Sequence, residues 1–111
     1  MTTTFDCRSV LADGTTMTVT ATRRPRGGRA DVKCGSPGGP ALAEHMQRVV
    51  RLARLTEARF DSRDQVLLTM DRAPAPHERD WELAAVLADR MARGVCPATP
   101  GLHANGWSDE W

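Results

Sequence analysis

The chain has 111 residues, enough for one domain and too few for two, and 41% hydrophobic residues allow a modest core without disulfides or a metal. Its 15 basic and 14 acidic residues leave a formal charge of +1, so no whole-molecule field draws in nucleic acid or an anionic membrane, and such binding would need a local patch. Apolar runs are interrupted well before the roughly 20 residues of a membrane span, the first residues lack a signal-peptide pattern, and the widely spaced Cys7, Cys34 and Cys96 are no secreted disulfide framework; the cytoplasm is the expected compartment.

Phe5–Ala12 reads as a first strand, closed by the hairpin signal Asp13-Gly14. Thr15–Thr22 alternates Thr with Met17, Val19 and Ala21, the pattern of a half-buried strand with a polar outer face. Arg23-Arg24-Pro25-Arg26-Gly27-Gly28 reads as a loop, and Arg29–Cys34 as a third strand that completes an antiparallel meander. After the breakers Gly35–Pro40, the residues Leu42, Met46, Val49, Val50 and Ala53 follow helical spacing, with Arg48, Arg51 and Arg54 on the expected solvent face. Gln65–Met70 is short and apolar, a buried and central fourth strand. A second helix is expected from Asp80, its N-cap, with Glu82 in the first turn, an apolar face of Trp81, Ala84, Ala85, Leu87, Ala88 and Met91, and an end at Gly94. The expected fold is α+β, a four-stranded mainly antiparallel sheet with two helices on one face, formed by residues 5–94. Residues 95–111 are a C-terminal tail or a truncated continuation of the domain.

The stretch VLLTMDRAPAPHERDWELAAVLADRMARG, Val66 to Gly94, resembles a segment of magnesium-chelatase-like AAA+ proteins of the ComM type. There an apolar strand runs into a proline turn and then a helix; Leu67–Asp71, Ala73-Pro74-Ala75-Pro76 and Trp81–Ala85 stand for the three parts. A hairpin, a Gly- and Pro-containing loop and a helix resembling Ala43 to Leu55 extend the likeness over residues 5 to 94. The resemblance implies the ribosomal-protein-S5 second-domain type of fold, shared with the proteolytic domain of Lon, and the expected partner is an AAA+ protein or another protein. This chain departs from the family in lacking a P-loop, and it stops at Trp111 where the family adds a strand and a helix.

Lon-type proteolysis needs a serine on the turn before the second helix, but Pro76-His77-Glu78-Arg79-Asp80-Trp81 holds no Ser, Thr or Cys. The expectation is therefore a non-catalytic accessory or protein-interaction domain, with no catalytic residue, metal or cofactor. His77, Glu78 and Asp80 read as a solvated loop rather than an acid–base group. The three cysteines with His45, His77 and His103 lack the close pairing of a zinc site, and His45 is expected at the core edge. Trp107 and Trp111 are candidate partner-binding residues, or else belong to a tail folded back over the sheet edge. Arg23, Arg24, Arg26 and Arg29 form the densest charge, a candidate phosphate- or nucleic-acid-binding loop and the alternative function.

Overall fold

The computed structural model describes residues 3–25, 31–56, 64–75, 78–97, 99 and 101–107. The elements are Thr3–Val10 (β1), Thr16–Pro25 (β2), Asp31–Gly35 (β3), Pro40–Arg54 (α1), Asp64–Met70 (β4) and Glu82–Ala92 (α2). They form the expected α+β fold, a mixed, mainly antiparallel four-stranded sheet with two helices packed against it. Asp13 shapes the β1–β2 hairpin by accepting from the backbone N–H and hydroxyl of Thr15 at 2.9 and 2.6 Å, while Gly14 takes a φ of 84°. These bonds to Thr15 hold the exposed Asp13 carboxyl below its ordinary pKa.

The strand order is β1-β2-β4-β3, which corrects the expected three-strand meander. β4 enters between β2 and β3, antiparallel to the first and parallel to the second. The physical reason is connectivity. A strand that passes through a helix before the next strand returns in the same direction, so β3-α1-β4 is a crossover unit and its strands pair in parallel. Placing β4 inside the sheet also buries Val66, Leu68 and Met70. A second correction concerns Arg23, Arg24 and Pro25, expected in a loop; they continue β2 and pair with Val66, Gln65 and Asp64. Backbone groups of alternate residues face alternate neighbours, so Pro25 turns its missing N–H toward the β1 side, beyond the Thr3↔Arg23 pair that begins that ladder.

One sheet face is the core. Cys7, Met17, Val19, Ala21, Val32, Val66 and Leu68 are fully buried beneath Met46 and Val50 of α1 and Trp81, Ala84, Ala85 and Ala88 at α2. The opposite face carries Asp6, Arg8, Thr16, Lys33 and Thr69, all exposed.

The helices meet along a seam that mixes charge with apolar packing. Glu82, Val86 and Asp89 share one stripe of α2 by their spacing of four and three residues. His45 faces Glu82, Val49 and Ala53 pack on Val86, and Arg54 faces Asp89. Arg54 was expected on the solvent face and is buried at 5% exposure. Its Nε and Nη2 bond the two oxygens of Asp89 at 3.0 and 2.5 Å, and Arg93, one turn on, donates to the same carboxylate at 2.7 Å. Asp80 is not the N-cap of α2. Trp81 holds that position without a side-chain cap, and the exposed Asp80 contributes its carbonyl to the tail instead. At the other end Gly94 has a φ of 76° and the N–H of Val95 bonds the carbonyl of Arg90, the Schellman ending.

Truncating Asp89 would leave two buried guanidinium groups without their shared carboxylate. Asp89→Ala is expected to cost about 3–5 kcal/mol of unfolding free energy, read as a large fall in the urea midpoint with little change in slope. A loss below about 1 kcal/mol, the range of exposed pairs, would show the network to be solvated.

Candidate functional site

Because β3 and β4 are parallel, both deliver their C-terminal ends to the same end of the sheet, where α1 and α2 begin. Crevices outside the carboxyl ends of parallel strands are the usual ligand positions of such sheets. Here the two connections touch. A Cβ on Gly38 would stand 2.7 Å from Leu42 Cδ2 and 3.1 Å from Ala73 Cβ, so any larger residue there would make Leu42 and Ala73 give way. Between them lies a cleft of about 450 Å³ lined by Leu42, His45, Pro74, Glu78, Arg79 and Trp81.

Beneath the cleft sits Glu82, 0% exposed. One carboxylate oxygen accepts from His45 Nε2 and from Arg79 Nε, both at 2.8 Å; the other accepts from Arg79 Nη2 at 3.2 Å. An ionised carboxylate only accepts, so His45 carries its proton on Nε2 and turns the Nδ1 lone pair toward Arg48 Nη2 at 3.4 Å. The imidazole also meets the Trp81 ring edge-on, with centroids 5.5 Å apart. An oriented histidine is half of an acid–base device, and its described titratable neighbours in the cleft, Glu78 and Arg79, are both engaged in hydrogen bonds. Glu78 accepts from the Ala75 N–H at 2.9 Å and from the Ala12 N–H at 2.8 Å, tying the turn to the first hairpin. Asp80 is exposed, and His77 lies outside the described residues. The structure therefore brings His45, Arg79 and Glu82 together, a cluster that sequence reading missed because it joins residues 37 apart. The available signal was the tryptophan beside Glu82, which marks the first turn of α2 as buried.

The tail lies along the free edge of β1. The Arg8 N–H donates to the Leu102 carbonyl and the Ala104 N–H to the Arg8 carbonyl, each at 2.8 Å, in a short parallel bridge. Asn105 then imitates a further strand residue. Its Oδ1 accepts from the Val10 N–H at 3.1 Å and its Nδ2 donates to the Val10 carbonyl at 2.9 Å. Gly106 is held on both sides, by the Asp80 carbonyl at 2.8 Å and the Leu83 N–H at 3.0 Å. Residues 102–106 thus fold back over part of the sheet edge, the second of the two readings held for the tail. Trp107 follows with 56% of its surface exposed. Trp111 lies outside the described residues.

Of the four arginines expected to bind phosphate, Arg26 and Arg29 lie outside the described residues. Arg24 occupies the β2 position paired with Gln65. Arg23 is half-buried and lines a groove with Phe5, Val95 and Cys96. Among the described residues no three metal-ligating side chains gather, and no helix is long and apolar enough to cross a membrane. No protein-family model matches the chain, and no curated protein matches it.

The three cysteines differ in reach. Burial pushes the Cys7 thiol up to about 11, with neighbouring Cys96 adding to the shift and a backbone hydrogen bond at Arg8 opposing it. At pH 8 about one Cys7 thiol in a thousand is then ionised. Alkylation of the native protein at pH 8, followed by peptide mass spectrometry, should label the half-buried Cys34 and Cys96 and leave Cys7 untouched until denaturant is added. Equal labelling of all three in native buffer would mean that β1 opens freely.

Proposed function

We propose that this chain is a non-catalytic protein-interaction module, an accessory domain related to the Lon- and magnesium-chelatase-like domain of AAA+ proteins, working in the cytoplasm with an AAA+ protein as partner. The element order of three strands, helix, strand and helix supports the relationship, since it is the order that the resemblance of Val66–Gly94 implies. The absence of Ser, Thr and Cys from residues 71–81 supports the lack of catalysis, as does the use of Glu78 and Glu82 in internal bonds.

The observation that carries the interaction reading is Trp107. Its indole is 56% exposed, while the preceding residue is hydrogen-bonded to the domain on both sides. A large aromatic side chain presented from an anchored backbone loses little entropy on binding, which is why tryptophan is enriched at interface hot spots.

The test replaces Trp107 in the full chain with a photo-reactive phenylalanine analogue, in the cells that naturally make the protein. Irradiation should yield one discrete protein adduct, and the same probe at Thr18, on the opposite sheet face, should yield none. Trp107→Ala should abolish copurification of the captured protein at a cost in stability of about 1 kcal/mol or less. Peptidase and esterase assays of the wild-type protein should stay at background. No adduct at position 107, or turnover that survives repurification, would sink the reading.

A further inference from the structure

We infer that the half of the β1 edge left open by the described residues, Thr4 to Asp6, is a docking site for an extended peptide segment of a protein partner, which joins the sheet beside β1. This rests on the protein-interaction reading and specifies where and how the partner binds.

The hydrogen-bond phase of β1 sets which of its residues can accept a neighbour. Arg8 and Val10 turn their N–H and C=O groups away from β2, because both are taken by the tail. In an antiparallel pair the phase alternates strictly, so Thr4 and Asp6 turn their backbone groups the same way. Their partners in register, Thr22 and Thr20, are accordingly non-hydrogen-bonded pairs. The hairpin gives an independent check, since the Leu11 N–H bonds the Thr15 carbonyl and places the odd-numbered residues of β1 on the β2 side. Two N–H and two C=O groups thus point outward at Thr4 and Asp6. None makes a hydrogen bond to another described residue.

The tail shows what this edge accepts and where it stops accepting it. Residues 102–105 run parallel to β1 over Arg8 and Val10. At Gly101, with a φ of 73°, the chain turns aside and the Leu102 N–H closes on the Thr99 carbonyl at 3.3 Å. The next position along the edge is left as a cleft of about 440 Å³, walled by Thr4, Phe5, Asp6, Met91, Thr99 and Gly101. A row of outward amides and carbonyls specifies an extended backbone as its complement, the chemistry of β-strand addition.

Side chains on the two faces of β1 define the sequence such a segment needs. Phe5, half-buried, lies on the core side of the strand, and Asp6 and Arg8 are exposed on the other. Phe5 and Met91 also line an adjoining groove that runs to Val95, which is 50% exposed, and to Cys96. An inward residue of the incoming segment therefore meets apolar surface, and its two neighbours lie beside a carboxylate and a guanidinium. The fitting segment is an aliphatic residue between polar ones.

The test pans phage-displayed random linear octapeptides against the immobilised full chain. Enriched peptides should carry an aliphatic residue flanked by polar ones, and a synthetic copy should slow amide hydrogen exchange at Thr4 and Asp6. Asp6→Pro removes an outward N–H and leaves the β1–β2 ladder intact, so it should keep the native circular dichroism spectrum and weaken the peptide at least about tenfold. Asp6→Ala keeps the N–H and should keep binding. Failure to enrich any peptide, equal binding to Asp6→Pro, or unchanged exchange at Thr4 and Asp6 in the complex would overturn the site. So would slowing of those amides on concentrating the protein alone, since a second copy would then be the occupant. An adduct at position 107 without protection of Thr4 and Asp6 removes this site and leaves the module reading standing.

Discussion

Everything at the working end of this molecule depends on the charged seam between α1 and α2. An ionised carboxylate inside a protein is costly unless it is paired and hydrogen-bonded, and α2 carries two on one stripe, Glu82 and Asp89. Each has its partner on α1, His45 near the start and Arg54 at the end, with Val49, Ala53 and Val86 between them. A slide of one helix past the other by a single turn would separate both pairs at once, leaving Glu82 with Arg79 and Asp89 with Arg93. A purely apolar seam would tolerate such a slide far better, so these polar pairs favour one register.

That register shapes the cleft. With His45 held over Glu82, the first turns of the two helices sit side by side, and the β3–α1 connection touches the β4–α2 connection at Gly38 and Ala73. Trp81, buried between them, donates its indole N–H to the Glu78 carbonyl at 2.9 Å, and Glu78 in turn reaches the first hairpin at Ala12. The polar groups at this end therefore form a chain of supports running from hairpin to turn to helix seam. A site that used Glu78 or Glu82 for chemistry would have to release one of those supports.

The sheet elements were legible because their pattern is local. Met17, Val19 and Ala21 alternate with threonines, and all three are buried; the apolar run at Val66–Met70 is an inner strand. Pairing was less legible, because β4 comes to lie between β2 and β3 through contacts distant in sequence. Here the strand-helix-strand order itself pointed to a parallel pair and outweighed the meander. Arg54 and Asp89 were missed for a different reason. Residue charge suggested solvent, yet Arg54 lies four residues after Val50 and eight after Met46, within the buried stripe of α1, and Asp89 lies three after Val86 and four after Ala85. Opposite charges at core spacing on two helices were the signal of a buried pair. The segment Leu102–Gly106 was hardest to read, since backbone hydrogen bonds and the amide of Asn105 hold it, with Leu102 and Ala104 as its apolar contacts to the core.

That same segment decides which part of the β1 edge faces water. An exposed strand edge is an aggregation hazard, and proteins blunt it with covers, charges or short lengths. Among the described residues the cover stops at Leu102, leaving Thr4 and Asp6 outside it, and its other end delivers Trp107 beside the start of α2. One short strap thus sets both the limit of the open edge and the position of the exposed indole. The arrangement has a cost, because the strap is held at only a few backbone positions and its polar side chains add little burial. A cover built for stability alone would extend along the whole of β1 and turn its tryptophan inward. Stopping midway and presenting the indole is the geometry on which the proposed docking of another chain rests.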